Sequence, residues 1–418
     1  MHKTVAGILP DEWRGSLVKH VCKVVRGSSP RPAGSPLYFN GNFVPWATVA
    51  DLTSSDDMYL KSTKSMLTEA GAERTRITDP GTLMLTNSGA TLGVPKISSI
   101  RCGANDGIAM LLDLDGIATE FAYYYLYSKT QYFRDVIAPG VGQPNLNTEL
   151  IGDFPIPVPP LPEQKKIAQI LSTWDKAITT TEQLLANSQQ QKKALMQQLL
   201  TGKKRLLDNN GVRFSGEWKF QSISQISKRI QRKSDGEDHP ILTISSLSGF
   251  VRQDERYSRY MAGESVKNYI LLKKGEFAYN KGNSKTYEFG CIFDLDSYKS
   301  GLVPHVYVCF KLHQGLSHRY FKYLFEANYL KPQLGALVNT GVRNNGLLNI
   351  KPAEFMNTKV PVPCFDEQER IADVLHASSE TISKLQLKLD ALKQEKKALM
   401  QQLLTGKRRV KVDDKEVA

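Results

Sequence analysis

The sequence predicts an α+β protein: two mixed α/β globular domains separated by two long antiparallel coiled-coil helices, with a pseudo-two-fold internal repeat. Three observations predict it. Residues 157–205 and 361–409 align without a gap at a constant offset of 204. Each copy carries a heptad pattern, and the stretches between them show short apolar runs broken by Gly, Asn, Ser and Asp. A period near half of 418 residues is far longer than the roughly 20 to 50 residues of a solenoid repeat, so one module is used twice. The expected divisions are 1–155 and 207–360 for the globular domains, 156–206 and 361–410 for the helices, and 411–418 for a polar tail.

The first globular domain opens at Glu12-Trp13, the second at Glu217-Trp218. Strands are expected at Phe43 to Val49, Thr82 to Thr86, Ile241 to Ile244, Glu276 to Tyr279 and Val306 to Leu312, where β-branched and aromatic residues lie between turn formers. Helical spacing covers Thr119 to Arg134 and Ser317 to Tyr329. Their aromatic residues, Phe121, Tyr123, Tyr124 and Tyr125 in one and Tyr320, Phe321, Tyr323 and Phe325 in the other, read as core rather than as platforms for stacking bases.

The repeated segment is a helix. Ile167, Leu171, Trp174, Ile178, Thr181, Leu185, Ser188, Lys192, Leu195 and Leu199 follow a strict alternation of four and three, as do Ile371, Leu375, Ser378, Ile382, Leu385, Leu389, Leu392, Lys396, Leu399 and Leu403. Pro162 with Glu163, and Asp366 with Glu367, suit a first turn; Gly202 and Gly406 suit left-handed caps, followed by basic residues near the negative end. Each helix should run about 38 residues, roughly 57 Å at 1.5 Å per residue. Only about 14 residues separate Gly202 from Glu217, which places the second domain at the far end of the first helix and returns the second helix antiparallel to it. Leu195, Met196, Leu199 and Leu200, with Leu399, Met400, Leu403 and Leu404, make an apolar face wider than a two-stranded seam needs; they are read as a docking face for another protein's helices.

Composition narrows the function. A formal net charge of +13 favours a polyanionic partner, because cationic side chains on phosphates release condensed counterions. No run of about 18 apolar residues appears, and Val5 to Leu9 is cut off by Pro10, Asp11 and Glu12, so neither a membrane span nor a leader is expected and the chain should act in the cytoplasm. Five scattered cysteines with no Cys-x-x-Cys pair argue against a disulfide framework or a zinc ribbon.

Polar loops occupy matching places in the two domains. Thr86, Asn87 and Ser88 follow one strand; Asn280, Lys281, Asn283 and Lys285 follow its counterpart. Gln143, Asn145 and Asn147 correspond to Arg343, Asn344 and Asn345 before each Pro-x-Pro. Asn, Gln, Arg and Lys can make directional hydrogen bonds to base edges, and Ser and Thr suit phosphates, although the same residues also dominate ordinary turns. No catalytic residue and no metal ligand set emerges. There is no Walker A loop, no G-x-G-x-x-G after a strand, no Asn/Asp-Pro-Pro-aromatic motif and no His-Glu-x-x-His. His305, His313 and His318 match no common metal spacing, and Asp294 with Asp296 lacks a nuclease lysine partner in the sequence.

Pro157-Val158-Pro159 with Glu163-Gln164 and Ile167-Ala168, their repeats at Pro361, Glu367 and Ile371, and the identical Lys192–Lys203 and Lys396–Lys407 segments resemble the specificity subunits of type I restriction-modification systems. Val44-Pro45-Trp46 and Ser88-Gly89-Ala90-Thr91 look like that family's target recognition domains. The second domain departs, with Ile241-Leu242-Thr243-Ile244 and Asn283-Ser284-Lys285-Thr286 in those places. The resemblance implies that each domain reads one part of a split double-stranded DNA target, that the helices set the gap, and that methyltransferase subunits, two of them, dock on the helices. Restriction subunits would join them. S-adenosylmethionine, ATP and Mg would be held by those partners and no cofactor by this chain. Because the helices are nearly alike and the domains differ, the target should be bipartite and asymmetric. The alternative is a two-headed scaffold that holds two protein partners without reading DNA.

Overall fold

The computed structural model describes residues 1–139, 145–246, 248–256, 263–282, 284–338 and 348–412. The chain divides into two compact units, Met1–Glu182 with Leu387–Ala418, and Gln183–Gln386. Both long helices therefore contribute to both units, so each unit combines one globular domain with two helix segments.

The first unit is built on a sheet of β1 (Lys23–Arg26), β2 (Tyr59–Leu60), β3 (Leu83–Thr86), β4 (Pro95–Ser98) and β5 (Ile108–Leu112), in the order β1-β5-β3-β4-β2. All neighbours are antiparallel except β4 with β2. A second sheet of Ser65–Leu67, Phe39–Ala47, Cys102–Ala104 and Arg76–Thr78 lies in the same unit. Helix α1 (Thr119–Ser128) buries Phe121, Tyr123, Tyr124 and Tyr125, as its spacing predicted. They share one core with Leu83, Leu85 and Leu111 of the sheet, Ile167 and Leu171 of α2 (Leu161–Leu199), and Leu403 and Leu404.

The second unit repeats the plan. Strands β6 (Ser227–Ile230), β7 (Phe277–Asn280), β8 (Cys291–Asp294) and β9 (Val308–Leu312) form a wholly antiparallel sheet in the order β6-β9-β7-β8, which matches β1-β5-β3-β4 strand for strand. Helix α3 (His318–Glu326) buries Tyr320, Phe321, Tyr323 and Phe325 against Leu199 of α2, Leu200 just beyond its end, and Ile371 and Leu375 of α4 (Phe365–Leu403).

Both long helices are 39 residues, and all twenty heptad positions are buried or half-buried. In the first unit Glu163, Asp175 and Glu182 of α2 pair in turn with Arg409, Lys396 and Lys393, a falling series that makes the segments antiparallel. In the second, the end of α2 meets the start of α4 through Arg205 and Glu367, so the same sense holds.

The repeated Glu-Gln pair is what fastens a domain to its helices. Glu163 accepts from Trp13 Nε1 at 2.9 Å and from Arg409 at 2.7 and 2.9 Å; Glu367 accepts from Trp218 Nε1 at 2.9 Å and from Arg205 at 2.5 and 2.7 Å. Both carboxylates are buried, and a buried charge is tolerable only when its lone pairs are filled in this way. Gln164 donates to the Pro159 carbonyl at 2.8 Å and accepts from the Ala118 amide that precedes α1; Gln368 does the same with Pro363 and Ser317 before α3. Gly202 and Gly406 end the helices at φ +71 and +70, and a Cβ at Gly406 would also collide with Pro10.

One expectation is corrected. Met196, Leu199 and Leu200 lie in the core of the second unit and Met400, Leu403 and Leu404 in that of the first, with Leu195 and Leu399 half-buried beside them. The wide apolar face is filled by the chain's own aromatic helices, so these eight residues anchor the globular domains and do not form an open docking face.

Candidate nucleic-acid interface

In the first unit the polar loops gather at the turn Asn105-Asp106-Gly107 that leads into β5. The segment after β1 runs beside this turn: Gly27 N donates to the Ile108 carbonyl at 2.8 Å and Ser28 N to that of Ala104 at 3.0 Å. A Cβ at Gly27 would collide with the carbonyl oxygens of Asn105 and Ala104, which is why glycine stands there.

That close approach carries two arginines to one residue, Arg26 to the backbone carbonyl of Asp106 and Arg31 to its carboxylate. Arg26 Nε donates to the Asp106 carbonyl at 2.6 Å, and Arg31 Nη2 lies 3.3 Å from Asp106 Oδ2. Ser29 Oγ donates to Asp106 Oδ1 at 2.7 Å, while Arg76 Nη1 holds the Arg26 carbonyl at 2.9 Å. The Ser29 hydroxyl is the largest influence holding the Asp106 carboxyl below its usual range, joined by its backbone amide and by Arg31 and Arg26. The carboxylate is thus fixed and ionised, and both guanidinium groups stay exposed.

Two recesses flank the turn and share Asn105 and Asp106. One, of about 430 Å³, is lined also by Ser29, Arg31, Asn40 and Thr48. The other, of about 380 Å³, has Arg26, Ser88 and Asn145 on its walls. Together they present fixed donors (Arg26, Arg31), a fixed acceptor (Asp106) and amides that can do either, the mixture that base edges in a groove require.

The sequence-predicted residues divide sharply. Ser88 and Asn145 come together as a bridge and face the second recess. Thr86 does not reach it: the residue is fully buried, its hydroxyl donating to the Thr91 carbonyl at 2.7 Å and accepting from Val94 N at 2.9 Å to close the loop between them. Asn87 is also buried, with Nδ2 3.4 Å from the Asp106 carbonyl, and braces the turn from below. Asn147 caps the helix Thr148–Gly152 through Leu150 N at 2.8 Å. Thr86, Asn87 and Asn147 therefore leave the set of base-contacting residues and join the supports. Gln143 lies outside the described residues.

In the second unit Asn280 ends β7 and turns its Oδ1 to Gly282 N at 2.9 Å, and Lys285 is exposed. The Lys281 carbonyl accepts from Leu348 N at 3.1 Å, the same bond that the Asn87 carbonyl makes with Leu146 N at 2.7 Å. In each unit the chain before the Pro-x-Pro is therefore stitched to the residue that follows the equivalent strand. Asn283, Arg343, Asn344 and Asn345 lie outside the described residues. The edge strand β6 exposes Lys228 and Arg229, occupying the place of β1 with its Lys23 and Arg26.

Sequence reasoning missed Arg26, Arg31, Asn105 and Asp106. Asn-Asp-Gly reads as an ordinary turn, and only strand pairing brings residues 26–31 to it across about 75 residues of chain.

Residues 10–187 match the family described as "Type I restriction modification DNA specificity domain". The chain is 31% identical over 180 residues to the type I restriction enzyme MjaIX specificity subunit of Methanocaldococcus jannaschii, a match covering 42% of this chain and 41% of that protein. It is 26% identical over 311 residues to the MjaVIII specificity subunit of the same organism, covering 70% of each. The solved structure of a type I restriction-modification S subunit from M. genitalium shares the fold, with a TM-score of 0.56 at 12% identity over 96% of this chain and 99% of that one.

Proposed function

We propose that the chain is a specificity subunit of a type I restriction-modification system, the family that its residues 10–187 match, and that it reads an asymmetric, bipartite double-stranded DNA target for a complex in which it performs no chemistry itself. Each unit recognises one part of the target, and the paired helices set the gap. Methyltransferase subunits, two of them, assemble on the helices and bring S-adenosylmethionine to adenine. Restriction subunits supply ATP- and Mg-dependent cleavage. The complex works in the cytoplasm.

The observation that carries this reading is a shared frame with different contents. Both units use one strand order and one Trp-Glu-Arg fastening. Yet Asn87-Ser88-Gly89 follows β3 where Lys281-Gly282 follows β7, and Val44-Pro45-Trp46 has no counterpart at Leu242–Ser245. Like frames with unlike reading loops suit two different half-sites.

Mapping methylated adenine genome-wide in a host with and without this chain tests it. A split, asymmetric motif is expected only when the chain is present, and removing one heptad from each helix should change the gap while leaving both half-sites intact. Unchanged methylation, or an altered half-site sequence after the heptad removal, would contradict it. A two-headed scaffold is separated by salt: phosphate contacts make binding fall steeply as salt rises, and a scaffold has no such slope.

A further inference from the structure

The turn that carries Asp106 has a counterpart in the second unit. In the first, the strand Cys102–Ala104 runs into Asn105-Asp106-Gly107, Ile108 N donates to the Asn105 carbonyl at 3.0 Å, and β5 begins. In the second, the strand Ser300–Val303 runs into Pro304-His305-Val306, Tyr307 N donates to the Pro304 carbonyl at 3.0 Å, and β9 begins. Strand register gives the same match. Leu83 and Phe277 each lie four residues before the carbonyl, of Asn87 or Lys281, that is stitched to the chain before the Pro-x-Pro. Leu83 pairs with Leu111 and Phe277 with Phe310, and Asp106 and His305 each lie five residues before those partners. His305 stands where Asp106 stands.

The two turns are held alike and furnished differently. Asn105 N donates to the Ala47 carbonyl at 3.0 Å, which ties the first turn to the strand Phe39–Ala47. Buried Tyr307 ties the second to the strand Leu242–Ser245: its hydroxyl accepts from Ile244 N at 3.2 Å and lies 3.2 Å from Thr243 Oγ1. Asp106 is fixed by Ser29 and accompanied by Arg26 and Arg31. His305 is exposed and makes no hydrogen bond or ion pair among the described residues. Val25 pairs with Met110 and Ile230 with Cys309, so the next residue along, Arg26 in one unit, is Gln231 in the other. The cations that follow Gln231 are engaged elsewhere, Arg232 with Glu276 at 2.7 Å and Lys233 with the Asn268 carbonyl at 2.8 Å.

An imidazole on a rigid turn, unspent within the fold, is free to meet a ligand. A carboxylate can only accept, and beside a polyanion it is tolerable in the first unit because two guanidinium groups accompany it. The second turn has no such companions, so its own side chain supplies the donor. We propose that His305 is a specificity-determining residue of the second unit: its ring N–H donates to N7 of one purine in the major groove, where Asp106 accepts from an amino group in the other half-site. This role rests on the reading above that each unit recognises one part of a DNA target.

Selection of binding sites by the full-length chain in its complex, from a duplex pool of randomised sequence, tests it. His305→Ala should relax preference at a single base pair by roughly tenfold or more, in the half-site that Arg26→Ala leaves untouched. Replacing the purine there with its 7-deaza analogue, which lacks the N7 acceptor, should weaken the unaltered chain to the same degree and the His305→Ala chain no further. His305→Gln, whose amide can still donate, should keep part of the preference. Thermal unfolding of both variants should match the parent, because the side chain is exposed.

Unchanged selection by the His305→Ala chain would overturn the proposal. So would even weakening across all sequences, which marks a phosphate contact, or a 7-deaza effect that persists in full in the variant. If the unaltered chain selects no sequence, the broader functional reading fails and this proposal with it. If it selects a split motif and the His305→Ala chain selects the same one, only this proposal fails.

Discussion

Arg409 and Glu163, 246 residues apart in the sequence, share two parallel hydrogen bonds of 2.7 and 2.9 Å, and the same carboxylate accepts from Trp13. Arg205 and Glu367 repeat the arrangement with Trp218. Removing the cation leaves a buried carboxylate with one remaining donor, a loss of about 2 kcal/mol. Arg409→Ala should therefore speed hydrogen exchange in the first unit and leave the second unchanged, and Arg205→Ala should do the reverse. Equal effects on both units would show that the fastenings are not local.

Arg26 and Arg31 should act on one half of the target only. Each substitution by Ala is expected to cost about 1 to 3 kcal/mol of binding if the guanidinium reads a base, relaxing preference at one position, or to weaken binding evenly and flatten the salt slope if it meets a phosphate. Binding measured on targets altered in one half-site at a time distinguishes these outcomes. A loss of preference in the half-site read by the second unit would contradict the assignment.

The state of Asp106 depends on Ser29. Its carboxyl titrates below the ordinary value of about 3.9, so its stabilising contribution is complete above that value and is lost as pH falls through the depressed one. Ser29→Ala removes the largest lowering influence and should move the Asp106 titration upward, followed by the carboxyl carbon resonance. No upward movement would mean that the hydroxyl does not set the carboxylate. At neutral pH the variant should keep the charge but lose the fixed direction, weakening DNA binding more than stability.

Thiol chemistry offers a simple check on the packing. Cys22, Cys291 and Cys309 are buried, with thiols pushed up to about 12, and Cys102 is raised as well; Cys364 is exposed. A disulfide reagent at pH 8 should titrate one thiol in the native chain and the remaining four on unfolding, because the thiolate is the reacting species. Removing Cys364 should abolish the native reaction.

Much of this architecture was legible because it is local and periodic. The heptads, the glycine caps and the aromatic helices follow from spacing alone, and the twenty seam positions and both caps lie where the pattern put them. The wide leucine face was misread for a physical reason: periodicity reports that a face must be covered, not by what, and here the cover is α1 and α3 of the same chain. Thr86 and Asn147 have the right chemistry for a base but spend it on the backbone, as turn and capping residues do. The arginines beside Asp106 depend on the pairing of β1 with β5, which no window along the sequence contains.

The fastening at Glu163 also orders events during synthesis. Gln183–Gln386 is a continuous stretch, so everything that unit needs has emerged once its last residue clears the ribosome. The unit begun first lacks Lys396, Leu403, Gly406 and Arg409 until the whole of Gln183–Gln386 has been made. At about 5 to 20 residues per second its newborn core waits, exposed, while the later one closes. The half made first is the half finished last, and during that delay its Trp13 and α1 surfaces are open to chaperones or to misassembly.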